Sequence, residues 1–123
     1  LRLGADVPFL TMDAPFALGF GRGERLLALR PLPAREILLA LPPFGVETKA
    51  AFSWYADATA GQPLRAPAPI TLDDLDRWDR LVPLAVNDLE AVVVARHAEI
   101  GQCVDAFRAA GAKIARMSGS VST

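Results

Sequence analysis

Apolar residues change their spacing along the chain, and the change divides it. Up to Pro83 they come in short runs interrupted by proline and glycine; beyond it these breakers thin out and apolar positions recur at helical intervals. The first part predicts strands and turns, the second helices. Residues 15–18 and 26–29 read as strands joined through Gly19, Gly21 and Gly23, a spacing that suits a turn or bulge. Residues 37–41 are apolar throughout and lie between Pro33 and Pro42, too tight a window for a helix, so they predict a strand at the centre of the sheet.

Thr48 carries a hydroxyl suited to the free amides that open a helix, and Phe52, Tyr55 and Ala56 follow at helical spacing. A helix over about residues 49–58 is expected. Residues 61–69 contain three prolines and predict a surface loop. Thr71 is placed to cap a short helix through Leu72, Leu75 and Trp78, with Asp73 and Asp74 at its positive end and Pro83 as its limit. Asn87 and Glu90 have capping-box spacing before the apolar face of Leu89, Val92 and Val93. Ile100, Cys103, Val104, Phe107 and Ala110 follow the helical period, and Gly111 stands where a left-handed cap is wanted. Residues 113–117 alternate and predict a returning strand before the small-residue loop Ser118, Gly119, Ser120. Strands and helices that need a common sheet make the expected fold class α+β, a layered sandwich.

Composition narrows the classes. The 123 residues are one domain's length, and 52% hydrophobic with 22% charged residues excludes general disorder. Thirteen Lys and Arg stand against 14 Asp and Glu, a net charge of −1 without a basic block, so neither nucleic acid nor a membrane is an expected partner. The longest apolar runs, residues 37–41 and 91–95, fall far short of the roughly 20 needed to span a bilayer. One cysteine, Cys103, and one histidine supply neither a disulfide nor a zinc set, which fits a reducing, cytoplasmic location. No signal peptide is visible, and both ends read as cut from a longer chain.

Four stretches are candidates for chemistry. Asp6, set among small and apolar neighbours, is a possible desolvated general base, although a cap or turn is the commoner role of such an Asp. The glycines at 19, 21 and 23 match neither the phosphate-loop nor the dinucleotide fingerprint, which leaves a hairpin turn. Residues 42–48 lead into the helix that carries Phe52, whose ring suits stacking on a base, while an aromatic on an inner helix face is ordinarily packing. Residues 117–120 are small enough to admit another backbone or a ligand. His97 and Cys103 lack a third orienting group, so structural roles are expected for both. Asp73, Asp74, Asp76 and Asp79 lack calcium-loop spacing and read as a solvated face, with no metal site expected.

In order and spacing, Leu3-Gly4-Ala5-Asp6-Val7-Pro8-Phe9, Gly45-Val46-Glu47-Thr48-Lys49 with Phe52, Asn87-Asp88-Leu89-Glu90, and Ala110-Gly111-Ala112 leading to Met117-Ser118-Gly119-Ser120 resemble the C-terminal part of a small-molecule kinase of the GHMP superfamily. The resemblance covers nearly the whole chain. It implies ATP-dependent phosphorylation of the 2-hydroxyl of 4-diphosphocytidyl-2-C-methyl-D-erythritol, on the non-mevalonate route to isoprenoid precursors, with ATP and Mg2+ as cofactors. Asp6 matches the family's catalytic aspartate. Phe52 matches an aromatic placed to stack on the substrate cytosine, with Thr48 beside it at the helix start. Ser118, Gly119 and Ser120 match a glycine-containing loop that packs beside the phosphate loop and the substrate; the family pattern continues with glycine, where this chain has Val121, a residue that resists positive φ.

The resemblance further implies that residues 1–25 are a remnant of the nucleotide lobe and residues 26–123 a ferredoxin-like α/β sandwich that binds substrate. The ATP-cradling loop is then expected upstream of Leu1, and the isolated chain is expected to be inactive. Two other readings stand beside this one: a non-catalytic ferredoxin-like ligand-binding module, and a GHMP kinase for a different small molecule. Oligomeric state is not specified by the sequence.

Overall fold

A computed structural model of the chain describes residues 6–21, 23–63 and 69–119. The elements are α1 (Val7–Leu10), β1 (Ala17–Phe20), β2 (Arg25–Ala28), α2 (Thr48–Thr59), a 3-10 turn at Leu72–Asp74, α3 (Trp78–Leu81), a second 3-10 turn at Val82–Leu84, α4 (Glu90–Val94) and α5 (Ala98–Ala109). Helices and a small sheet together make the class α+β. The chain forms two compact units, one from Leu1–Glu36 with Ile70–Leu81 and the other from Ile37–Pro69 with Val82–Thr123.

In the first unit β1 and β2 pair antiparallel, with Ala17 opposite Ala28 and Phe20 opposite Arg25. The glycine-bearing turn between them behaves as the sequence predicts: the Gly23 N–H donates to the Phe20 carbonyl, and Gly21 and Gly23 both adopt positive φ. Thr71 again behaves as expected, its N–H and hydroxyl both donating to the Asp74 carboxylate at 2.9 and 2.7 Å. The single helix expected from Thr71 through Trp78 is instead broken into a 3-10 turn and α3. Between them Arg77 turns its guanidinium onto Asp79, two residues ahead, rather than along a helix. The Trp78 indole N–H donates to the Pro33 carbonyl at 2.7 Å and ties α3 to the segment that follows β2.

The second unit holds most of the core. Val46, Ala51, Val93, Ile100 and Met117 form one buried cluster, with Phe44, Trp54, Leu89, Val92 and Val94 packed on it. The helix predicted over residues 49–58 is α2, one residue longer at each end; Glu47, in extended backbone, is its cap, and Thr48 is its first helical residue. The terminus moves by one because the Glu47 carbonyl already accepts the first helical bond, from the Ala51 N–H. On α5, Ile100 and Val104 are buried and Gly111 has φ +90°. The Ala112 N–H reaches the Phe107 carbonyl and the Gly111 N–H that of Arg108, so the helix ends in a Schellman motif that needs the left-handed glycine.

Two predicted strands are not formed. Residues 37–41 are irregular, and Ile37, Leu38, Leu39 and Leu41 are 75–81% exposed. A central strand needs partners on both sides, and among the described residues the sheet consists of β1 and β2 alone. Residues 113–117 are also irregular, because the hydrogen bonds of Met117 go to side chains instead of a neighbouring strand.

Candidate functional site

In the first unit Asp6 precedes α1, where the Leu10 N–H takes its backbone carbonyl and its side chain faces solvent. The desolvated carboxylate that its apolar neighbours suggest is therefore not found: Val7 and Pro8 turn into the short helix and leave the Asp6 side chain outside. Thr48, Phe52, Ser118 and Gly119 belong to the second unit.

There α2 is fixed through Ala51, which is wholly buried. Phe52, the next residue, points about 100° around the helix and is 58% exposed, so the inner-face packing role is replaced by a ring open to solvent. Thr48, one turn earlier, is also exposed and lies on the same face of α2. The small-residue loop is anchored to the same core: Met117 is buried in one cluster with Val46, Ala51 and Val93, and Ser118 and Gly119, which follow it, are exposed. Gly119 has φ +59°, a left-handed conformation open to glycine at little cost. Ser120 and Val121 lie outside the described residues.

Sequence reasoning missed what holds that loop. Asn87 and Glu90 do not form a capping box. The Asn87 Oδ1 accepts from the Leu89 N–H at 3.0 Å, and its Nδ2 donates to the carbonyls of Met117 and Gly119, both at 2.9 Å. The Glu90 carboxylate accepts from the Met117 N–H at 2.8 Å and from Arg116 at 3.4 Å, with Arg108 3.6 Å away. The spacing of Asn87 and Glu90 was the signal, but it serves a contact some thirty residues away in place of a local cap.

Three cationic side chains, Arg108, Lys113 and Arg116, line an open cleft of about 250 Å³ along the segment that leads into the loop. Two of them already lie against acids, Arg108 on Asp105 and Glu90 and Arg116 on Glu90. His97 stacks on Phe44 at 5.2 Å between ring centroids and lies 6.1 Å from Trp54, whose other neighbour is the Arg96 guanidinium at 4.6 Å. That cluster gives His97 the structural role expected of it. Cys103 is half-buried on α5.

Two acidic residues of the first unit, Asp74 and Asp79, have partners close by in sequence. Hydrogen bonds from the Thr71 hydroxyl and then its N–H hold the Asp74 carboxyl below its ordinary value of 3.8, and the Arg77 guanidinium does the same for Asp79. Among the described residues no three metal-ligating side chains gather, and no helix is long and apolar enough to cross a membrane.

No family model matches the chain. It is 42% identical over 122 residues to the 4-diphosphocytidyl-2-C-methyl-D-erythritol kinase of Moorella thermoacetica, covering 96% of this chain and 42% of that protein. Its identity to the kinase of the same name from Paracoccus denitrificans is 40% over 124 residues, covering 98% and 43% of the two chains. With that of Parvibaculum lavamentivorans it is 36% over 125 residues, covering 98% and 42%. The match falls on the C-terminal part of these relatives, and the chain spans a little over two fifths of their length.

Proposed function

We propose that this chain is the substrate-holding, C-terminal part of a cytoplasmic, ATP-dependent kinase that phosphorylates the 2-hydroxyl of 4-diphosphocytidyl-2-C-methyl-D-erythritol. Similarity over nearly the whole chain to kinases of that name carries the reading. The exposed ring of Phe52, left free by core packing, supports it. On this reading residues 1–25 end the nucleotide lobe, residues 26–123 belong to a ferredoxin-like substrate domain, and the ATP-binding residues lie upstream of Leu1.

The chemistry assigned to the chain's own residues is simple. Asp6 accepts or orients the proton of the attacking hydroxyl while a bond forms from that oxygen to the γ-phosphorus. The bond from the γ-phosphorus to the bridging oxygen breaks, and ADP leaves with the electron pair. A positioned base contributes roughly 10²–10⁴ in rate. Phe52 stacks on cytosine, an interaction worth about 1–3 kcal/mol at single-stranded nucleic-acid sites, and Thr48 is a polar contact beside it. Residues 118–120 belong to the loop that packs beside the phosphate loop and the substrate. Phosphoryl transfer from ATP ordinarily employs Mg2+ to neutralise developing charge.

The test is to incubate the intact protein with ATP and the diphosphocytidyl alcohol and follow phosphorus resonances. A new phosphomonoester and ADP in equal amounts are expected. Transfer to a different alcohol alone would replace the substrate, and cytidine-ligand binding with no transfer to any alcohol would favour a non-catalytic module.

A further inference from the structure

The cleft along residues 112–116 carries positive charge that no acid lining it cancels. Arg108, Lys113 and Arg116 face it, Val82 and Ile114 add apolar surface, and no Asp or Glu is among its lining residues. The acids that pair with the two arginines, Glu90 and Asp105, stand outside that lining. They do not balance the charge. Glu90 is one carboxylate shared by Arg108 at 3.6 Å, Arg116 at 3.4 Å and the Met117 N–H at 2.8 Å. Asp105 meets Arg108 at 3.0 Å, but its side chain is 74% exposed, so the pair is well screened by water. Lys113 makes no ion pair with any described residue. Three cations against two acids leave one positive charge, and Lys113 carries it.

The arginines are also held in place with donors to spare. Arg116 uses its Nε on the Ala85 carbonyl at 2.9 Å and its Nη1 on Glu90, while Arg108 uses its Nη1 on Asp105 and its Nη2 on the Ala115 carbonyl at 3.5 Å. A guanidinium has five N–H donors, so each keeps others for a ligand. The carbonyls that would repel an anion are engaged: Ala85 and Ala115 by the arginines, and Phe107 and Arg108 at the end of α5 by the N–H groups of Ala112 and Gly111. Size narrows the class of ligand. An open cleft of about 250 Å³ is smaller than the roughly 300–1,000 Å³ that encloses a drug-sized molecule. A compact anion fits it, and the planar fork of a guanidinium matches the oxygens of a phosphoryl group.

We propose that Arg108, Lys113 and Arg116 form a binding site for a compact phosphoryl anion, with Lys113 supplying the charge that Glu90 and Asp105 leave uncompensated. Thr48, Phe52, Ser118 and Gly119 do not line the cleft, so the site does not depend on the kinase reading.

Titrating the isotopically labelled intact protein with inorganic phosphate, and separately with diphosphate, at constant ionic strength tests it. Saturable shifts of the amide resonances of residues 113–116 are expected with at least one of the two, and the tighter binder identifies the occupant. Lys113→Gln removes the unpaired charge from an exposed side chain. It should weaken binding by about threefold or more, as loss of an exposed charge contact does, and leave the unfolding midpoint unchanged. Lys113→Glu should abolish the shifts over the same concentrations. The absence of saturable shifts with either anion would overturn the site. So would shifts that potassium chloride reproduces at equal ionic strength, or a loss of less than about threefold in Lys113→Gln.

Discussion

Gly101 on α5 lies so close to Val94 at the end of α4 that a methyl group on the glycine would stand 2.7 Å from the valine Cγ1. Alanine is ordinarily better than glycine inside a helix by about 1 kcal/mol. Here the neighbour is a stiff β-branched side chain that packs on the core. Gly101→Ala is therefore expected to destabilise the protein, by about 1–3 kcal/mol as overpacked sites do. Urea unfolding measures it, and adding Val94→Ala to the glycine variant should recover part of the loss. Unchanged stability in the single variant would mean that α4 and α5 do not meet in this way.

Phe52→Ala should separate binding from folding. The side chain is largely in water, so the unfolding midpoint of the variant should stay within experimental error of the parent. Its affinity for a cytidine diphosphate ligand should drop by about 1–3 kcal/mol, or roughly 5- to 150-fold, if the ring stacks on the base. Calorimetry on the intact protein reads both, and undiminished affinity would remove Phe52 from the site.

Asp6→Asn keeps the shape of the side chain and removes the base. The expected outcome is a kcat loss of roughly 10²–10⁴ with KM nearly unchanged. Parallel loss in both parameters would make Asp6 a binding residue instead.

The Asp74 carboxyl should titrate below 3.8, because the Thr71 hydroxyl and N–H bind its charged form. A carboxyl whose folded value is depressed contributes stability above its unfolded value and loses that contribution as pH falls through the folded value. Thr71→Val should accordingly move the Asp74 midpoint up towards 3.8 in a carbon-detected titration. It should also lower stability near neutrality and converge on the parent once the carboxyl is protonated. A midpoint at 3.8 in the parent would show the contact to be absent in solution.

What the sequence made legible was local. The hairpin follows from glycines set between two apolar runs, and α5 from an unbroken helical period that ends at Gly111. Residues 37–41 were misread because apolarity describes a strand's faces and says nothing of its partners. The pair Asn87 and Glu90 was misread because one spacing serves both a local cap and a long-range clamp, and only the position of Met117 decides between them. Phe52 defeated the pattern for a geometric reason. Ala51 takes the buried face of α2, and its neighbour in sequence is turned about 100° away from it.

The exposure of Ile37, Leu38, Leu39 and Leu41 has a practical consequence for handling the protein. An uncharged apolar segment with no backbone hydrogen bond to another described residue is a template on which further chains can add edge to edge. Preparations of these 123 residues alone should grow turbid with concentration, and Leu39→Lys should delay the onset in light scattering while leaving the circular dichroism of the helices unchanged.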